Sequence, residues 1–133
     1  MVEIGITTES RDQFVDVTAQ VEGAVRRLGV TGGAVLVFNP HTTAGVTINE
    51  GADPDVVRDM LGAFDRMVPW QDGYRHAEGN AAAHIKASLV GSSVLVPVQD
   101  GAARLGTWQT IWFCEFDGPR RRRLWVSQVG QGT

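Results

Sequence analysis

Cysteine is almost absent from this 133-residue chain: a single Cys114 excludes an internal disulfide. No apolar run is long enough to span a bilayer. The opening Met1-Val2-Glu3-Ile4-Gly5 has neither the basic nor the apolar region of a signal peptide. Charge of one sign is also scarce. Twelve Lys and Arg stand against fifteen Asp and Glu, a net −3, so no bulk field draws the chain to nucleic acid or to a membrane surface. A Gly-rich phosphate loop leading into a helix is missing. These absences predict a cytoplasmic protein with no nucleic-acid and no membrane partner. What remains is an ordinary globular composition, and the length suits one domain, residues 1–133, with a sizeable core. No linker, repeat or low-complexity segment interrupts it.

Residues 2–8 and 12–17 alternate and carry β-formers, which predicts a pair of strands. Thr18 is placed to cap a helix whose face is Val21, Ala24, Val25 and Leu28, with Gly29 at its end. Ala34–Phe38 reads as a buried strand, and a second follows His41, where Ala44, Val46 and Ile48 alternate with Gly45, Thr47 and Asn49. Asp53-Pro54 reads as N-cap and first helical residue. The stripe Val56, Val57, Met60, Leu61, Phe64 and Met67 follows, and Pro69 stops that helix. After a loop over 70–79, Asn80 is expected to cap a third helix to about Leu89, with Ala81, Ile85, Ser88 and Leu89 on its buried face. Val94–Val98, Thr107–Phe116 and Arg122–Val129 complete the chain as strands, the last two joined by the turn Asp117-Gly118-Pro119. The order ββαββααβββ favours an α+β fold, a mostly antiparallel sheet or sandwich packed with about three helices.

The chemistry concentrates around the three histidines, His41, His76 and His84. Asn80 and His84 are i and i+4 on one helix face, and His76 lies in the loop before it. With His41 they form a candidate three-nitrogen metal site with an open position, as in catalytic zinc. The plain alternative is three histidines that only hydrogen-bond loops. Glu50 ends a strand, and Asp53 begins a helix. Either could orient an imidazole, bind Mg²⁺ or act as a base. Capping alone accounts for Asp53, so Glu50 is the stronger candidate. Arg104 in a glycine-bearing turn could meet an anion. Trp108 and Gln109 could stack on and hydrogen-bond a flat ring, although alternation also places Trp108 with Thr110, Trp112, Cys114 and Phe116 on a core face. Cys114 reads as a buried small hydrophobe. The run Arg120–Arg123 invites a nucleic-acid or phosphate reading, but in an acidic chain the favoured account is a charged strand start that blocks edge-to-edge pairing.

Several ordered segments together resemble one family. They are His41-Thr42-Thr43-Ala44-Gly45, Asn49-Glu50-Gly51-Ala52-Asp53-Pro54-Asp55-Val56, His76 to Lys86, Gly106-Thr107-Trp108-Gln109 and Phe116-Asp117-Gly118-Pro119-Arg120. The likeness is to the YjbQ-type proteins, often described as secondary thiamine-phosphate synthases, and it runs from about Thr7 to Gly130. The resemblance implies a small α+β protein that assembles as a homotrimer. It implies a pocket holding His41, His76, His84, Glu50, Asp53, Asn80 and Gln109, possibly shared between subunits. It also implies a transferase that couples hydroxymethylpyrimidine diphosphate to a thiazole phosphate and releases pyrophosphate. In that reaction Glu50, His41 and His84 would be catalytic. Asn80, Arg104, Trp108, Gln109 and Asp53 would hold substrate. A divalent ion, Mg²⁺ or Zn²⁺, would sit on the histidines or the carboxylates. Two other functions compete: a metal-dependent hydrolase of a small phosphorylated or amide substrate, and a non-catalytic binder of a metal or anion.

Overall fold

The fold is described here from a computed structural model, which describes residues 1–130. Residues 131–133, the end of the expected 1–133 domain, lie outside the described residues. The elements are β1 (Val2–Thr7), β2 (Gln13–Asp16), α1 (Thr18–Leu28), β3 (Ala34–Phe38), β4 (Ala44–Glu50), α2 (Pro54–Met67), α3 (Ala81–Val90), β5 (Ser93–Gln99), β6 (Ala102–Ala103), β7 (Gln109–Glu115) and β8 (Arg121–Gln128). Every strand pairing is antiparallel. One sheet has the order β1-β8-β3-β5-β6 and the other β2-β7-β4. The expected α+β fold is therefore present, with the two-residue β6 as an added strand.

Strand alternation builds two cores. Val2, Ile4, Ile6, Val35, Val37, Val96, Leu124 and Val126 point from the larger sheet onto Ile111 and Phe113 of β7, with α1 closing the end. The opposite face of β7 carries Trp112 and Cys114. They pack with Phe14, Phe116 and the helices α2 and α3. The smaller sheet is thus covered on both faces. Cys114 is fully buried, and burial pushes its thiol above the ordinary range. Trp108 precedes β7 and is 64% exposed, so it does not join the face on which alternation placed it.

Three local expectations change. Thr18 does not cap α1; Val17 holds that position without a side-chain bond. The Thr18 hydroxyl instead accepts the Ile111 N–H (3.0 Å), tying the helix start to β7. The charged start of β8 does not guard an edge, because β8 lies between β1 and β3. The buried face of α3 is Ala82, Ala83, Lys86 and Ala87, whereas Ile85 and Leu89 are 40% and 60% exposed. Small residues face the sheet because helix and strand approach closely. A Cβ on Gly45 of β4 would meet Val90 Cγ1 at 2.8 Å and the Gly91 carbonyl at 2.9 Å. Gly45→Val is expected to cost about 1–3 kcal/mol through overpacking. Urea denaturation checks this, and a midpoint equal to the parent's would show that α3 can back away freely.

Asp53 caps α2 as its sequence indicates, accepting the Asp55 N–H (2.9 Å). Gly29 ends α1 with φ +67°, a left-handed conformation that favours glycine. Among the described residues, no helix is long and apolar enough to cross a membrane.

Candidate active site

The turn after β3 is folded around one amide. Asn39 is 1% exposed; its Oδ1 accepts the His41 N–H (3.0 Å), and its Nδ2 donates to the Ala44 carbonyl (2.6 Å). The ladder between β3 and β8 stops at Phe38 and Trp125. Just beyond it, the Arg123 N–H donates to Nε2 of His41 (2.9 Å). An imidazole thus occupies the place of the next strand partner. Phe113 meets the ring edge-on, with centroids 6.4 Å apart. Burial holds His41 below the ordinary histidine pKa, and the charges of Arg122 and Arg123 act in the same direction.

Across the hollow, His84 projects from the second turn of α3. His76 approaches from the preceding loop, where the His76 carbonyl accepts the Gly79 N–H (3.2 Å). Their rings meet edge to face, with centroids 5.2 Å apart. Asn80 starts α3 and donates from Nδ2 to Asp117 Oδ2 (2.8 Å). The same carboxylate oxygen accepts from Arg120 Nη2 (3.1 Å). Because the carboxylate fixes which end of the amide donates, Oδ1 of Asn80 points elsewhere; it is buried and has no hydrogen-bond partner.

The floor is an enclosed ion pair. Arg122 donates from Nε to Glu115 Oε1 (2.8 Å) and from Nη2 to Glu115 Oε2 and to Thr43 Oγ1 (2.9 Å). Thr8 and the backbone N–H groups of Phe116 and Asp117 also donate to Glu115. Burial alone would raise the Glu115 pKa, but the hydrogen bonds from Arg122, Thr8 and Asp117 outweigh it and hold the carboxyl below its usual range.

Together these groups line an open hollow of about 410 Å³, which His41, Asn80, His76, His84, Arg120, Arg122, Glu78 and Asp117 share. This volume lies within the range of small-molecule sites.

The family model described as "UPF0047 protein YjbQ-like" matches residues 2–131. The chain belongs to the YjbQ/UPF0047 family. It is 53% identical over 126 residues to UPF0047 protein YugU of Bacillus subtilis, covering 94% of this chain and 96% of that one. It is 46% identical to UPF0047 protein MJ1081 of Methanocaldococcus jannaschii, covering 94% and 91%. A crystal structure of an uncharacterized YjbQ/UPF0047 protein from Clostridium acetobutylicum superposes with a TM-score of 0.94 at 51% identity, covering 97% of this chain and 100% of that one. TT1486 of Thermus thermophilus, a conserved hypothetical protein, gives 0.90 at 42% identity, with the same coverage.

In this YjbQ-family chain, the other residues singled out by sequence lie away from the hollow. Glu50 is at the far end of β4, about 20 Å along the strand from Ala44. Its carboxylate accepts the Asp53 N–H (3.2 Å), and its backbone pairs with Gln109. Gln109 uses its side-chain oxygen on the Gly106 N–H (2.7 Å). Trp108 and Arg104 are exposed on the segment leading into β7. Glu50, Asp53, Trp108 and Gln109 thus gather at the opposite end of the smaller sheet. Glu50 lies nine positions after His41, but the last seven of those positions, Ala44–Glu50, are extended strand, which carries the two apart.

The reverse omission concerns Glu115, absent from the sequence candidates, and Arg122, read there only as part of the charged start of β8. Alternation along β7 and β8 puts Glu115 in register with Ile111 and Phe113, and Arg122 with Leu124 and Val126. Opposite charges at inward positions of two strands successive in the chain were the available signal.

The residues do not fit a resident metal ion. Among the described residues, no three of His, Cys, Asp and Glu are grouped so as to hold one. The three-nitrogen arrangement expected of His41, His76 and His84 does not form: one nitrogen of His41 is engaged by a backbone N–H, and two guanidinium groups share the hollow.

Proposed function

We propose that the hollow binds the phosphate or diphosphate of a small substrate and that the chain is a transferase acting there. The observation that carries this reading is the meeting of Arg120, Arg122 and a histidine pair around one open hollow. Guanidinium groups suit phosphate oxygens in charge and geometry. An imidazole can hand a proton to a leaving oxygen near neutral pH. The buried Asn80 Oδ1 favours a ligand that brings an N–H or O–H donor of its own.

The reaction that the family resemblance suggests has these needs. The thiazole nitrogen of one substrate attacks the methylene carbon of hydroxymethylpyrimidine diphosphate. A C–N bond forms, the C–O bond to the diphosphate breaks, and pyrophosphate leaves with the electron pair. Arg120, whose side chain is half exposed, would bear the charge developing on the leaving group, and His84 or His76 would donate the proton. No step is assigned to Glu50, Arg104, Trp108 or Gln109 of the same chain. A homotrimer belongs to this reading, and the exposed Ile85, Leu89, Leu95 and Trp108 are apolar groups that a neighbouring copy would cover.

The test combines purified protein with both thiamine precursors and measures thiamine phosphate and pyrophosphate. His84→Ala is expected to lower turnover about 10²- to 10⁴-fold, and Arg120→Ala is expected to raise KM for the diphosphate. Equal turnover in parent and His84→Ala would remove the histidine from the reaction. Thermal stabilisation by pyrophosphate without turnover of either precursor would leave the hollow a binding site and not an active site.

A further inference from the structure

We infer that β8 locks His41 in its Nδ1–H tautomer, so that the ring serves the hollow as a neutral hydrogen-bond donor and is neither a metal ligand nor a proton carrier.

A backbone amide cannot accept a hydrogen bond. The Arg123 N–H points at Nε2 of His41 over 2.9 Å, so this nitrogen must present its lone pair. The proton of the neutral ring then resides on Nδ1. Turning the ring over would set a C–H against the Arg123 N–H and lose the bond. The edge contact with Phe113 fixes the ring plane, and the Asn39 amide fixes the backbone beneath it. Nδ1 has no hydrogen-bond partner among the described residues, while His41 itself lines the hollow.

Two consequences follow. A metal at Nδ1 would require the proton to move to Nε2, head-on to the Arg123 N–H. A proton added at Nε2 would meet the same N–H and would sit beside the charges of Arg122 and Arg123. Either change breaks the bond that extends the sheet past Phe38. Among the described residues, no strand amide engages His76 or His84 in this way. The inference stands apart from the phosphate reading, since the tautomer is read with no substrate present.

The test is long-range ¹H–¹⁵N correlation of histidine side chains in the full chain, labelled with ¹⁵N-histidine. With three histidines, spectra of His76→Gln and His84→Gln assign His41 by elimination. The expected pattern at neutral pH is a protonated Nδ1 and an unprotonated, hydrogen-bonded Nε2, unchanged by excess ZnCl₂. An Nε2–H tautomer, averaged nitrogen shifts typical of a freely exchanging ring, or a zinc-induced shift at His41 would each overturn the inference. Loss of thiamine-phosphate synthesis with the locked pattern intact would count against the proposed reaction alone.

Discussion

Replacing Glu115 with glutamine is expected to cost about 3–5 kcal/mol, the usual effect of leaving one partner of an enclosed ion pair unpaired. Glu115 is fully buried, and the Arg122 side chain is only 2% exposed. Glutamine keeps the shape and one acceptor but not the charge, so the guanidinium stays enclosed beside a neutral amide. Against a typical total of about 5–15 kcal/mol, this is a large share of the stability. Equilibrium denaturation in urea measures it. Exchanging both partners for apolar groups of similar size, Glu115→Leu with Arg122→Met, is expected to restore most of the loss, because no charge then remains inside. The double variant would still lose the guanidinium that lines the hollow. A single variant as stable as the parent would show that Arg122 reaches water by another route.

The same pair sets an acid limit. The Glu115 carboxyl titrates lower in the folded chain than in the unfolded one. Its contribution is therefore complete above the unfolded value of about 4.3. It declines as pH falls through the lower, folded value. The parent should lose stability over that acid window, and Glu115→Gln should lose less there.

Removing the Asp12 carboxylate is the second large effect expected. Lys86 is fully buried in α3, and its Nζ lies 2.8 Å from Asp12 Oδ2, between β1 and β2, and 3.8 Å from Asp65 Oδ1 on α2. Phe116 lies beneath it, with the ring centroid 5.9 Å away. Asp12→Ala leaves an enclosed ammonium with only the more distant and exposed Asp65. Its cost should approach the lower end of the enclosed-pair range, about 3 kcal/mol. Lys86→Met, which removes the charge and keeps the stem, should be nearly neutral or stabilising. Thermal unfolding of the two variants compares them directly, and equal losses would refute the assignment of the ammonium as the costly group. The pair also joins α3 to its neighbours two residues after His84, so Asp12→Ala tests how firmly that histidine is held.

What could be read from sequence was mainly local. Asp53-Pro54 announces a helix because one carboxylate and one ring complete the cap without distant help. His76, Asn80 and His84 share a short segment, so helix spacing and the loop before the helix bring them together. The placement of Glu50 was not legible, because motif neighbours on a strand separate by more than 3 Å per residue. The buried face of α3 was misread for another reason. Hydropathy ranks Ile85 and Leu89 above alanine, but the buried face is three alanines and Lys86, packed where helix and strand approach closely at Gly45. The pairing of Glu115 with Arg122 depended on how β7 and β8, joined by the turn at Asp117-Gly118-Pro119 but lying in different sheets, face each other across the interior. Alternation supplied the inward positions, but the run of four arginines obscured which one was inside.

Because β8 is laced to β1 on one side and to β3 on the other, it has nowhere to slide. The wall it supplies to the hollow is cast when the sheet forms and is ready before any guest arrives. The opposite wall, where His76 and Glu78 stand, comes instead from residues 70–79, which contain no strand.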